Sequence, residues 1–209
     1  MFNNREEWLA GRVNGIGASE AAAAIGMSPF ESQYDLWMRK TGQKGDKDLT
    51  GNAAVEYGNR IEPAMRVMFQ AEHPELVLDY HQFDVLYRPD KPWMTATLDG
   101  ELTDSEGHRY VLEIKTANVA KKVQYDKWHD QVPRQYYIQA CWQLLVTGWD
   151  GVYLFAKLMK LNGDSELRTY FIDRESHKED MAWLESEVER FWKGNVTEMS
   201  APKAMLPSL

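Results

Sequence analysis

The sequence predicts an α/β fold in which a mixed central sheet is flanked by helices, built by a single domain over residues 1–209. Length is the first reason: 209 residues, 44% of them hydrophobic, can bury one sizeable core but are short for two. The second is aromatic content. Eight Trp, ten Tyr and seven Phe supply enough apolar surface to offset the entropy of ordering the chain. The third is a change of apolar period, from helical to alternating, back to helical, to alternating again and finally to helical, an order that suits a sheet with helices packed on it.

In chain order, Ser19 to Ile25 reads as an alanine-rich helix, and Ser32 to Lys40 as a second with Tyr34, Leu36, Trp37 and Met38 available for packing. Thr41 to Asn52, rich in Gly, Lys and Asp, reads as a mobile loop. Ile61, Met65, Met68 and Phe69 recur at helical spacing and predict an amphipathic helix from about Tyr57 to Ala71. Strand-like runs follow at Tyr80 to Tyr87, Trp93 to Leu102 and Arg109 to Lys115, separated by Pro89, Pro92 and the turn segment Asp104 to Gly107. Pro133 suits the first turn of a helix that reaches Thr147 and stops at Gly148. Val152 to Met159 and Arg168 to Ile172 read as strands, and a final acidic helix runs from Glu175 to Lys193. No internal repeat or low-complexity tract interrupts this order.

The lone cysteine, Cys141, excludes an internal disulfide framework, and nothing resembles a signal peptide or a long apolar span. A cytoplasmic protein with no membrane contact is expected. The net charge of −8 has the wrong sign for coating nucleic acid by bulk electrostatics, so any such contact must be local.

Chemistry concentrates in the run Tyr110-Val111-Leu112-Glu113-Ile114-Lys115. Side chains two apart on a strand share a face, so Glu113 and Lys115 stand together while Leu112 and Ile114 anchor in the core. Folding the preceding strand about the turn near Ser105 brings Asp99 within about one residue of opposite Glu113, near enough for two carboxylates to share a cation. The register is open at this point. Two hard oxygen donors without a Cys or His cluster suit Mg²⁺ or Mn²⁺ rather than Zn²⁺, and a divalent metal beside an ammonium suits phosphodiester hydrolysis. Spacing alone favours a plainer reading, with Asp99-Gly100 a turn and Glu113 to Lys115 a solvated strand face, because so short a pattern has many chance matches.

Five blocks in order add weight: Arg12-Val13-Asn14-Gly15-Ile16-Gly17-Ala18-Ser19-Glu20, Gly58-Asn59-Arg60-Ile61-Glu62-Pro63, Thr97-Leu98-Asp99-Gly100, Leu112-Glu113-Ile114-Lys115-Thr116 and Tyr136-Tyr137-Ile138-Gln139. With them the chain, over about Trp8 to Asp173, resembles the lambda-exonuclease and YqaJ-type viral recombinase family of PD-(D/E)XK nucleases. The resemblance implies a restriction-endonuclease-like fold and two Mg²⁺ ions per active site, with Mn²⁺ as substitute. Asp99, Glu113 and the Ile114 carbonyl would be metal ligands. Lys115 would activate the water, Glu62 would help hold the second metal or its water, and Gln139 would position nucleophile and phosphate. Arg12 and Ser19 match the family's site for a terminal 5′ phosphate. Thr116, where some relatives have Cys, and the long acidic C-terminal helix depart from the commonest pattern.

The residues also permit plain roles. Glu62 flanks an apolar stripe, Gln139 shares a helical face with Tyr136, Gln143 and Val146, and Ser19 can be a simple N-cap beside glycines that allow tight packing. Most of the tryptophans read as core or subunit-interface residues. Lys121, Lys122, Lys127 and Arg134 form the most basic stretch near the expected site, a solvated loop or a phosphate-contacting one. The resemblance implies a 5′-to-3′ exodeoxyribonuclease acting on double-stranded DNA ends. It would release 5′ mononucleotides, work as a homotrimer ring around the DNA, and leave a 3′ overhang for a single-strand annealing protein in a phage or prophage setting of a bacterial cell. The rivals are a distributive endonuclease or repair nuclease with the same metal chemistry, and a non-catalytic DNA-binding subunit.

Overall fold

The computed structural model describes residues 4, 7, 11, 14–46 and 49–203. The chain opens with a short strand β1 (Ile16–Gly17), a 3-10 turn (Ala18–Glu20) and helices α1 (Ala21–Ala24), α2 (Gln33–Lys40) and α3 (Ala53–Glu72). Strands β2 (Val77–Asp79), β3 (Leu86–Arg88), β4 (Lys91–Ala96), β5 (Gly100–Thr103) and β6 (Arg109–Asn118) follow. Helices α4 (Lys122–Asp126) and α5 (Arg134–Thr147) lead to strands β7 (Gly151–Met159) and β8 (Ser165–Asp173). Helix α6 (Lys178–Phe191) runs on into a π turn (Trp192–Thr197).

The larger sheet has the order β2-β5-β6-β7-β8, and a smaller one has β1-β4-β3. All neighbours in the larger sheet are antiparallel except β6 and β7, which run parallel in register from Tyr110 opposite Gly151 to Asn118 opposite Met159. Parallel neighbours need a crossover, and α4 with α5 supply it. The mixed sheet flanked by helices is thus the expected fold class.

The alternation along β6 divides the core in two. Leu112 and Ile114 join Met65 and Phe69 of α3, Leu102 of β5 and Phe155 of β7. Val111, on the opposite face, packs with Ile138, Trp142 and Leu145 of α5, with the alanines of α1, and with Met181, Leu184 and Val188 of α6. Helices α3 and α5 therefore cover opposite faces of the strand that carries Glu113. Helix α5 is anchored by Trp142, fully buried, whose Nε1 donates to the Thr95 carbonyl at 3.1 Å. It ends where expected, at Gly148 in the left-handed conformation with φ 73°.

Several boundaries move, each for a local reason. Helix α3 starts four residues before the expected Tyr57 because the Asn52 side chain accepts from the Ala54 and Val55 amides and caps it. The run Tyr80 to Tyr87 is irregular as far as Val85, with a turn at Gln82 and Phe83 and Phe83 at φ 61°; strand structure precedes it in β2 and resumes at Leu86 in β3. The run Trp93 to Leu102 is two strands in two sheets, broken at residues 97–99. Asp99 accordingly lies in the link between them and not within a strand. The helix expected from Ser19 is a 3-10 turn followed by four α-helical residues, and its N-cap is Gly17. Within the expected basic loop, Lys122–Asp126 forms α4. The Gly15 block has a steric cause: a Cβ there would meet the Trp93 carbonyl oxygen at 2.5 Å, so only glycine lets β1 approach β4. Among the described residues no helix is long and apolar enough to cross a membrane.

Candidate active site

The site forms where the larger sheet stops pairing on one side. Strand β5 begins at Gly100 opposite Leu112, whereas β6 continues to Asn118 with only β7 beside it. Asp99 therefore sits one step past the end of the ladder, beside Glu113. There the Ile114 amide donates to Asp99 Oδ2 at 2.7 Å. In a strand the N–H and C=O of one residue point to the same side, so the Ile114 carbonyl faces the same open edge.

Glu113 is almost fully buried under α5, and both of its oxygens are engaged. Gln139 Nε2 donates to Oε1 at 2.7 Å, and the Lys115 ammonium lies 2.5 Å from the same oxygen. Gln143 Nε2 donates to Oε2 at 2.6 Å. Lys115 Nζ is also 5.1 Å from the centroid of the Tyr136 ring, a cation–π contact. From the other side of the sheet Glu62 of α3 approaches through Arg66, whose Nη1 is 2.5 Å from Glu62 Oε1 and 3.1 Å from the Asp99 carbonyl oxygen. The Arg66 guanidinium stacks on Tyr80 at 3.7 Å. Glu62, Asp99, Glu113, Ile114, Lys115 and Gln139 are thus brought together by α3, the β4–β5 link, β6 and α5.

The electrostatics follow from this crowding. Burial, and then the charges of Glu113 and Glu62, push the Asp99 carboxyl well above the usual range, while Lys115 and the Ile114 amide pull the other way. Burial works against the Lys115 ammonium, but the charges of Glu113 and Asp99 outweigh it and raise its pKa, so the side chain stays protonated. Three acidic groups against one nearby lysine and one arginine make ionising Asp99 costly, and a divalent cation would relieve that cost. Among the described residues no three His, Cys, Asp or Glu side chains converge on one point. The carboxylate pair would have to be completed by the Ile114 carbonyl and water. That donor set fits Mg²⁺, which keeps several waters, and does not fit a closed zinc site.

The residues expected at a 5′ phosphate are less fully placed. Arg12 lies outside the described residues. Ser19 is exposed in the 3-10 turn after β1, and the parallel pairing of Ile16 with Met94 and Gly17 with Thr95 brings that turn to the same end of the sheet as the Asp99 link. The Gly17 amide donates to the Glu20 carboxylate at 2.9 Å, and Glu20 is buried against Arg39 and Lys40, so one amide at this turn is already occupied. Lys121, Lys122, Lys127 and Arg134 are all exposed on or beside α4 and α5. Of the tryptophans, Trp37, Trp128 and Trp142 are buried and Trp183 is half exposed; Trp8 lies outside the described residues.

Two participants were missed by sequence reasoning. Arg66 follows Glu62 by four residues, the spacing of helical ion pairs, and that signal could have found it. Gln143 follows Gln139 by the same spacing, but its contact with Glu113 depends on which face of α5 meets β6.

The mixed sheet flanked by helices is a fold shared with solved exonuclease structures. The alkaline exonuclease LHK-Exo from Laribacter hongkongensis is 20% identical and superposes with a TM-score of 0.70 over 93% of this chain and 94% of that one. The same enzyme in complex with dAMP gives 0.71. A phage related exonuclease from Haemophilus somnus 129PT, 16% identical, gives 0.55 over 89% of this chain and 96% of that one. Residues 7–150 match the YqaJ-like viral recombinase domain, and the chain belongs to that family. The uncharacterized protein YqaJ of Bacillus subtilis (strain 168) is 28% identical over 200 residues, which are 95% of this chain and 59% of that protein. The chain therefore spans less than two thirds of that relative's length.

Proposed function

We propose that this protein is a Mg²⁺-dependent 5′-to-3′ exodeoxyribonuclease that digests one strand of linear duplex DNA. What carries the reading is the grouping of Asp99, Glu113 and Lys115 at an open strand edge, where acidic groups outnumber the nearby cations. Family membership and the exonuclease fold support it. Asp99, Glu113 and the Ile114 carbonyl would hold the metal, with Glu62 assisting at a second ion, and Mn²⁺ can substitute. Bound metal lowers the pKa of a coordinated water and stabilises the leaving oxygen. Lys115, held as an ammonium, orients the attacking water and offsets charge at the phosphate. Gln139, bonded to Glu113, aligns phosphate and nucleophile. Hydrolysis that expels the 3′ oxygen of the terminal nucleotide releases a 5′ mononucleotide and leaves a new 5′ phosphate on the shortened strand, ready for the next cycle.

An acidic chain of 209 residues holds duplex DNA poorly by charge, and a closed ring supplies topology instead. Three copies form that ring, and the 3′ overhang passes to a single-strand annealing protein during phage-type recombination. Sedimentation is expected to give a trimer; a stable monomer that still digested long duplexes processively would rule the ring out. Arg12 and Ser19 read the terminal phosphate. A guanidinium grips a dianionic phosphate through paired charge-assisted hydrogen bonds, each about 1.5–3 kcal/mol. Arg12→Ala is therefore expected to lose about ten- to a hundredfold of the preference for 5′-phosphorylated over 5′-hydroxyl duplexes while Mn²⁺ binding is unchanged. An unchanged ratio of rates would place phosphate recognition elsewhere. The function itself is tested with end-labelled linear duplexes and closed circles in Mg²⁺: mononucleotides from 5′ ends alone support it, and cutting of circles identifies an endonuclease.

A further inference from the structure

We propose that Gln143 is a positioning residue that fixes the Glu113 carboxylate and sets its spacing from Asp99, an inference that rests on reading Glu113 as a metal ligand. Gln143 is fully buried, and its amide nitrogen reaches two acceptors: Glu113 Oε2 at 2.6 Å and the Thr97 carbonyl at 3.4 Å. Its own Oε1 is buried with no hydrogen-bond partner. Turning the amide over would set that oxygen against a carboxylate and a carbonyl, so the orientation is fixed by its neighbours. An apolar side chain of similar length would fill the place without burying an unpaired acceptor. What Gln143 supplies is therefore its donor end.

That donor end is fully buried, away from solvent. Gln139 and Lys115 hold Oε1 of Glu113, whereas Gln143, one helical turn later, holds Oε2 from the buried side. The two amides clamp the carboxylate in one rotamer. The second contact of Gln143 is with the segment that carries Asp99, two residues beyond Thr97. Helix α5 itself is tied to β4 through Trp142 and Thr95, so the clamp is referenced to a rigid frame. Groups that orient a metal ligand in this way are worth about ten- to a hundredfold in metal affinity.

The test is Mn²⁺ binding to the full-length, DNA-free protein, followed by the electron paramagnetic resonance signal of free Mn²⁺, for wild type, Gln143→Met, Gln143→Asn and Glu113→Ala. Methionine keeps the volume and removes the donor; asparagine keeps an amide that falls short of Glu113. Both are expected to bind Mn²⁺ about ten- to a hundredfold more weakly while melting cooperatively. Their cleavage rates should recover as Mg²⁺ is raised, with KM for DNA unchanged. If Glu113→Ala loses Mn²⁺ while either folded Gln143 variant keeps wild-type affinity, the inference falls and the site reading stands. If Glu113→Ala binds Mn²⁺ like wild type, the reading of Glu113 as a ligand fails and the inference with it.

Discussion

Replacing Glu113 with alanine is expected to lower cleavage of 5′-phosphorylated linear duplex by on the order of a thousandfold or more in Mg²⁺. The carboxylate receives Gln139, Gln143 and Lys115 and stands beside Asp99, so on the proposed mechanism its removal takes away a metal ligand and a partner that holds Lys115 as an ammonium. Asp99→Ala and Lys115→Ala should each fall about as far. Residues that act on one transition state are not additive, so the double variant Asp99→Ala/Glu113→Ala should be little worse than either single one. Single-turnover rates on end-labelled DNA, with circular dichroism to verify folding, measure this. Wild-type turnover by folded Glu113→Ala would exclude this strand from the chemistry.

The largest effect on stability is expected at Trp142. Its ring is fully buried, lies 6.0 Å from Trp93, which in turn stacks on Trp192 at 5.6 Å, and donates to the Thr95 carbonyl. Trp142→Ala opens a cavity in the larger core and leaves that carbonyl without its indole donor, at a cost of about 3–5 kcal/mol. For a chain of this size that corresponds to a melting temperature lower by roughly 10 °C. Urea denaturation monitored by circular dichroism would measure it, and a loss below about 1 kcal/mol would mean that α5 is not held through this residue. Because α5 carries Gln139 and Gln143, cleavage should weaken in parallel at temperatures well below unfolding.

Periodicity and chain punctuation were enough to set out most elements of this protein. The strand at Glu113, the helix from Pro133 to Gly148, and the pair β7 and β8 are encoded by local apolar spacing and turn residues, which act over a few residues and can be read without neighbours. The sharing of one face by Glu113 and Lys115 follows from the period of a strand alone, and the five motif blocks led to the family that the match over residues 7–150 shows. Where the chain changes partners, local signals fail. Nothing in the run from Trp93 to Leu102 says that its first half pairs with β1 and β3 and its second with β2 and β6, because strand pairing is chosen by contacts distant in sequence. The register that sets Asp99 beside Glu113, the Arg66 bridge from Glu62 to the Asp99 carbonyl, and the closure of Gln143 on Glu113 were decided only when α3 and α5 packed on opposite faces of β6. Each of these contacts joins residues 30 or more positions apart or depends on the pairing of two strands, and burial, not propensity, selects the partner.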